Sequence, residues 1–207
     1  MGNKINYQKL LDAELEKIRS EGRTPKLFFH ACCAPCSSYC LEYLNSFFDI
    51  TMFYYNPNIS PESEYRFRLS ELERLVSELP HENKISFAEA KYDPALFYDL
   101  VRGHEDDPER GERCKICLYH RLEETAKAAK TAGADYFSTT LSISPYKDAE
   151  FLNTAGAELS EKYGIAYLFS DFKKKNGYKR SIELSHIYDL YRQDFCGCVF
   201  SRRAPGE

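Results

Sequence analysis

Seven of the eight cysteines fall into short-spaced groups: Cys32, Cys33 and Cys36 within His30-Ala31-Cys32-Cys33-Ala34-Pro35-Cys36, then Cys114-x-x-Cys117, then Cys196-Gly197-Cys198. Thiolate is the form of sulfur that both attacks and ligates, so this density points to metal or redox chemistry. A single C-x-x-C pair serves zinc, redox and iron–sulfur sites alike. Two such pairs and a C-x-C make coincidence a poor account, and seven sulfurs exceed the four that a structural zinc takes. The surplus fits a cubane cluster on four thiolates beside a second metal on two or three. Cys40, one helical turn beyond Cys36, reads as a small buried residue. Cys36 falls near a helix N-terminus, where free N–H groups and the helix dipole favour negative sulfur.

Other residues carry weaker signals. His30 ends the apolar run Leu27-Phe28-Phe29 and reads either as a ligand or proton donor or as a hydrogen-bonded core histidine. Ser138, Thr139 and Thr140 offer hydroxyls and N–H groups to a ligand, or are simply a polar strand end. Lys173-Lys174-Lys175 and Lys179-Arg180 flank Tyr178, which reads as a phosphate grip with a stacking ring or as a solvated surface. His81, His104, His120 and His186 read as structural.

The elements that must position these residues alternate between two periods. Helical spacing covers 5–20, 37–47, 61–79, 95–101, 114–132, 146–163 and 181–193, with Gly133 as a C-terminal cap. Strand-like runs cover 26–30, 49–55, 85–88, 135–140 and 165–169, and 171–180 reads as a basic loop. Such alternation specifies an α/β fold: a parallel, Rossmann-like sheet with helices on both faces and right-handed crossovers. Ligands of such sheets sit outside the carboxyl ends of the strands. Cys32 and Cys33, Asn56, Ser138 to Thr140, and Asp171 all follow predicted strands, so separate segments converge on one rim.

The 207 residues fit one α/β domain over 1–207, and the formal net charge of −4 leaves room only for a local nucleic-acid surface. Sixteen Tyr and fourteen Phe can fill a core and also stack on bases. No apolar run approaches the ~18 residues of a membrane span, and Met1 to Asn6 lacks the apolar core of a signal peptide. Eight cysteines without a leader argue for ligation over disulfides, so a cytoplasmic protein without membrane association is expected.

At these residues the chain resembles the QueH-type epoxyqueuosine reductases of tRNA queuosine synthesis. The resemblance covers His30 to Cys36, Tyr55-Asn56-Pro57-Asn58-Ile59 with Glu64-Tyr65, Arg113-Cys114 to Cys117 with Arg121-Leu122, Ser138 to Lys147, Asp171 to Glu183, and Tyr191 through Ser201. It implies an adenine-nucleotide alpha-hydrolase-like (HUP) fold, a [4Fe-4S] cluster with an adjacent mononuclear iron, and two-electron removal of an epoxide oxygen. It also implies a tRNA substrate, through the anticodon loop, and an electron donor such as a ferredoxin or flavodoxin. Related ATP-using folds carry a Ser-Gly-Gly-type loop after the first strand; Ala31 to Cys36 lacks those glycines. The resemblance makes Cys32, Cys33, Cys36, Cys114, Cys117, Cys196 and Cys198 the metal ligands. The first division is Cys33, Cys36, Cys114 and Cys117 for the cluster, leaving Cys196, Cys198 and Cys32 for the iron. Asp171, His30 and Tyr54 are then candidate proton donors. Asn56, Ser138, Thr139, Thr140 and Tyr178 are candidate substrate contacts, and Lys173, Lys174, Lys179 and Arg180 would grip phosphates. Two alternatives remain: an ATP-dependent, iron–sulfur tRNA-thiolating enzyme, and a zinc-stabilised nucleic-acid-binding module.

Overall fold

In a computed structural model of the chain, residues 5–88 and 90–201 are described; residues 1–4, most of the stretch Met1 to Asn6 read above, lie outside them. Five strands form one sheet: β1 (Lys26–His30), β2 (Asp49–Phe53), β3 (Ile85–Ala88), β4 (Tyr136–Thr139) and β5 (Ala166–Tyr167). Their order is β3-β2-β1-β4-β5 and every pairing is parallel, with Phe28 opposite Thr51 on one side and Phe137 on the other. This is the parallel α/β architecture that the alternation predicts. The order turns back between β1 and β4, which is where such sheets leave a crevice for ligands.

The two faces follow from the period-2 alternation of the strands. Leu27, Phe29, Ile50 and Met52 point into one core with α1 (Tyr7–Ser20), α2 (Ala34–Leu44), α3 (Glu62–Glu78) and α7 (Gly177–Ile187). Phe28, Phe53, Phe137 and Tyr167 point into the other with α5 (Glu112–Thr131) and α6 (Ala149–Tyr163). A short helix, α4 (Pro94–Leu100), contributes Phe97 to a third, smaller cluster that includes Cys198. Among the described residues no helix is long and apolar enough to cross a membrane.

Several boundaries differ from the sequence expectation, each for a local reason. The second helix starts three residues early, at Ala34, because Pro35 fits the first turn, where its missing N–H costs nothing. The sixth starts at Ala149 because the Asp148 carboxylate caps it, accepting from the N–H groups of Glu150 and Phe151. The expected loop 171–180 is shorter: α7 begins at Gly177, where a Cβ would lie 2.0 Å from the Phe172 carbonyl oxygen and 2.4 Å from Tyr39. Only glycine permits that approach of α7 to α2. The same helix ends at Ile187, so Gln193 lies on an irregular return. The fifth helix ends as expected, with Gly133 at φ +64° just beyond its Ala132 cap.

Candidate metal centre and substrate cavity

Cys32 and Cys33 leave the carboxyl end of β1; Cys33 caps α2, and Cys36 lies in the first turn of that helix. The three Sγ atoms all lie within 4.8 Å of one another, with Cys32 and Cys33 at 3.6 Å. Gln193 Nε2 donates to Cys33 Sγ at 3.0 Å. Cys32 is held well below the ordinary thiol range because Cys33 and Cys36 donate to it and the Arg121 guanidinium stands near. The same contacts push Cys33 up to about 12 and raise Cys36 as well. Proximity to the helix N-terminus favours Cys36, as the sequence leads one to expect, but two thiol donors and a guanidinium outweigh it.

The other four sulfurs form a second set. Cys114 and Cys117 lie one turn apart on α5, and Cys196 and Cys198 come from the loop beyond α7; all four line one small cavity. Arg68, 2 % exposed and ion-paired to Glu64, donates to the carbonyl oxygens of Cys196 (3.3 Å) and Phe195 (3.4 Å). The Ser60 N–H donates to the Gly197 carbonyl at 3.0 Å. The Cys196 thiol is lowered, first by a hydrogen bond from Cys198 and then by Lys147; Cys198 is raised by Cys196 and burial, and Cys117 by burial. Asn58 Oδ1 and Arg113 Nε, both at this cavity, are buried without a hydrogen-bond partner among the described residues. The structure thus groups the sulfurs as Cys32, Cys33 and Cys36 against Cys114, Cys117, Cys196 and Cys198. Cys33 and Cys36 do not join Cys114 and Cys117, because the 194–198 loop occupies that side of α5.

Both sets reach one larger cavity of about 380 Å³, to which Cys32, Cys36 and Cys196 contribute. It opens where the strand order turns back, between the Cys32 segment after β1 and the Leu141 to Lys147 segment after β4. Arg121 and Lys147 line this cavity and the four-sulfur cavity alike. Burial acts against the Lys147 ammonium, but the sulfurs of Cys196, Cys114 and Cys117 and the Glu109 carboxylate, 3.8 Å away, raise its pKa overall. Tyr146 and Tyr178 supply aromatic edges.

Of the further residues singled out in the sequence, Tyr178 lines this cavity. His30 is fully buried: Nδ1 lies 2.9 Å from Thr139 Oγ1, and Nε2 lies 3.1 Å from the Tyr55 carbonyl oxygen and 3.3 Å from Arg121 Nε. Burial, then Arg121, brings its pKa down to about 3, so it is a neutral imidazole. Tyr54 is buried and donates to the Tyr65 carbonyl at 3.1 Å, and burial raises its pKa. Asn56 holds the Ala31 carbonyl (2.9 Å) and accepts from Arg121. Ser138 donates to Leu168 O (2.8 Å), Thr139 Oγ1 accepts from Leu141 N (3.1 Å), and Thr140 Oγ1 lies 3.7 Å from Cys32 Sγ. Asp171 pairs with Lys173 (3.1 Å), and Lys173 also donates to Ser142 O. Arg180 is paired to Glu42 (2.7 Å) and Glu183 (3.2 Å), while Lys174 and Lys179 are exposed. Sequence reasoning missed Arg68, Arg121, Lys147 and Gln193 as site residues. A usable signal existed for Arg121, which follows Cys117 by four residues and so shares its helix face.

The comparisons agree with this geometry. The family described as "Epoxyqueuosine reductase QueH" matches residues 27–204. A Streptococcus pyogenes protein of that description is 43% identical over 205 residues, covering 98% of this chain and 80% of its own length. A Staphylococcus epidermidis relative is 41% identical, covering 98% and 87%, and one from Thermotoga maritima is 34% identical, covering 84% and 89%. The match runs from β1 to the loop beyond α7 and so takes in all three cysteine groups: this chain belongs to the epoxyqueuosine reductase QueH family.

Proposed function

We propose that the protein is an epoxyqueuosine reductase, removing the epoxide oxygen of epoxyqueuosine in tRNA by two-electron reduction. One observation carries the reading: two separate, partly buried sulfur sets, of four and of three, reach a single cavity of about 380 Å³ at the turning point of the sheet. The donor chemistry fits iron. Four thiols match the ligand demand of a [4Fe-4S] cluster, and three leave a lone iron with open positions. The unpartnered Arg113 Nε–H at the four-sulfur cavity is a donor suited to negatively charged sulfur. Cys114, Cys117, Cys196 and Cys198 would hold the cluster, and Cys32, Cys33 and Cys36 the single iron. When bound, these groups supply the two electrons and a Lewis acid for C–O cleavage.

The chain's own residues do the rest. Tyr178 and Tyr146 offer aromatic rings at the cavity for an extruded base. Lys147 Nζ holds a proton inside the cavity and is placed to deliver it to the departing oxygen. Among the residues first considered for that role, Asp171 is paired to Lys173, His30 is neutral and enclosed, and Tyr54 is hydrogen-bonded elsewhere, so Lys147 takes precedence. Exposed Lys174 and Lys179 serve the phosphate backbone. A dedicated reductant protein delivers electrons, and the reaction belongs to the cytoplasm, where tRNA is used. The test is anaerobic: iron-loaded protein, tRNA carrying epoxyqueuosine, and a chemical reductant, followed by nucleoside mass spectrometry. Conversion to a product lighter by one oxygen supports the reading, and an unchanged nucleoside with fully loaded protein contradicts it.

A further inference from the structure

Arg121 has an unusual position for a charged side chain. It is 4 % exposed, lines both the four-sulfur cavity and the larger one, and its hydrogen bonds go to a neutral amide and a neutral imidazole, with the Cys117 sulfur also within reach. Its Nη2 donates to Asn56 Oδ1 and its Nε–H to His30 Nε2 at 3.3 Å. Among the described residues it makes no ion pair with a carboxylate. The contrast with Arg68 is direct, since that buried guanidinium has Glu64 at 2.7 Å. A guanidinium keeps its charge at every ordinary pH, and a buried charge without a counter-charge is strongly destabilising. Yet the sequence builds a rigid bracket for it. Asn56 is fixed by its bond to Ala31 O after β1, and His30 by Thr139 at the end of β4. The groups left to balance Arg121 are the sulfurs. Cys117 precedes Arg121 by one turn on α5 and shares the four-sulfur cavity with it, and Cys32 lines the larger cavity beside it.

We propose that Arg121 is a positioning residue whose fixed positive charge is shared by the two sulfur sets, and that His30 and Asn56 serve the site by holding that guanidinium between them. The inference rests on the reading that the thiolates hold iron. Thiolate-ligated iron carries net negative charge, and reduction adds one more, so a fixed cation beside it favours both retention of the metal and the reduced state. Ligation is what requires every sulfur to be deprotonated, so without metal the same cation has less negative charge to balance it. Neutralising Arg121 therefore has opposite consequences in the two states: it weakens the loaded protein and spares or stabilises the metal-free one. A residue that only braced the fold would weaken both.

The experiment uses anaerobically iron-loaded full-length protein, with the cluster potential followed by spectroelectrochemistry and iron release followed with a chelator. In Arg121→Gln the ratio of oxidised to reduced cluster at a fixed potential rises at least tenfold, equivalent to about 59 mV for a one-electron couple. Iron leaves both sets faster, and thermal unfolding of the metal-free protein is unchanged or shifts upward. Arg121→Lys returns the potential toward that of the unmodified protein. Asn56→Asp keeps the arginine and pairs it with a carboxylate, at the cost of the bond to Ala31 O; it also lowers the potential, so the charge is tested with the guanidinium still in place even if Arg121→Gln folds poorly. A potential unchanged in Arg121→Gln and in Asn56→Asp overturns the inference, as does equal destabilisation of the loaded and metal-free forms. If the unmodified protein takes up no iron, the functional reading falls with it; if it takes up iron and only the potentials fail to move, the role of Arg121 alone falls.

Discussion

Replacing Gly197 by alanine tests whether the loop between Cys196 and Cys198 is as tightly held as the four-sulfur set requires. Gly197 has φ +100°, and a Cβ there would lie 2.7 Å from Ile59 Cγ1 and 3.3 Å from both Ile59 Cα and Arg68 Nη1. The backbone conformation alone costs a non-glycine residue roughly 1–3 kcal/mol. Crowding against Ile59, where the contacts are near the backbone and not at a flexible tip, adds roughly 1–3 kcal/mol. The total of about 2–6 kcal/mol is a large part of the ~5–15 kcal/mol that stabilises a typical domain. Gly22→Ala is the control, because Gly22 has φ +61° and nothing within 4 Å of where the added methyl would sit, so only the backbone term applies. Urea unfolding of the metal-free proteins should place Gly197→Ala below Gly22→Ala by the crowding term, with equal slopes. The loaded Gly197→Ala protein should also lose most of its cluster absorbance. Equal stabilities for the two variants, or full cluster retention in Gly197→Ala, would refute the claim that Ile59 and Arg68 set the geometry of Cys196 and Cys198.

Cys117→Ser should remove about four irons and Cys36→Ser about one, measured by iron content and absorbance after anaerobic loading; the reverse pattern would exchange the roles of the two sulfur sets. Lys147→Gln should lower single-turnover deoxygenation by roughly 10²–10⁴ if its proton goes to the departing oxygen, and unchanged single-turnover rates would place the proton source elsewhere. Lys174→Ala and Lys179→Ala should each flatten the log–log salt dependence of tRNA binding by about 0.9, so an unaltered slope would make these lysines ordinary surface. His30 gives a pH signature. Its folded pKa of about 3 lies below the ordinary 6.5, so the unfolded chain binds more protons between those values. Its contribution is therefore complete above about pH 6.5 and is lost as pH falls toward 3, with a slope of up to about 1.4 kcal/mol per unit. Unfolding of the metal-free protein between about pH 6.5 and 5, above the carboxylate range, should show that slope, and His30→Gln should reduce it to the part owed to His120, which burial also lowers.

The positions of the sulfurs along the chain announced a gathering of thiols able to hold metal, and the alternation of periods announced the parallel sheet whose rim carries them. Both are local properties: spacing within a turn, and strand ends followed by polar residues. The division of the sulfurs was not legible, because it depends on the return of residues 194–198 to α5, which Arg68 arranges from 128 positions away. The basic stretch misleads for a similar reason. Read alone, Lys173 and Arg180 are free cations; in the structure their charges are met by Asp171 and by Glu42, the latter 138 positions distant. Arg121 and Lys147 look like surface residues of a helix and a loop until the fold encloses them between sulfurs. His30 and Asn56 stood out in the sequence as rim residues, but the side chain that both contact, Arg121, comes from another part of the chain.

The central claim is that four sulfurs and three sulfurs, separately gathered at one edge of the sheet, hold redox-active iron on either side of a shared cavity. Anomalous scattering at the iron edge from anaerobically grown crystals tests it most directly. The expected map shows a compact multi-iron peak bounded by Cys114, Cys117, Cys196 and Cys198, and a separate single peak at Cys32, Cys33 and Cys36. Cystine bonds within these sets, or one metal drawing sulfurs from both, would contradict it.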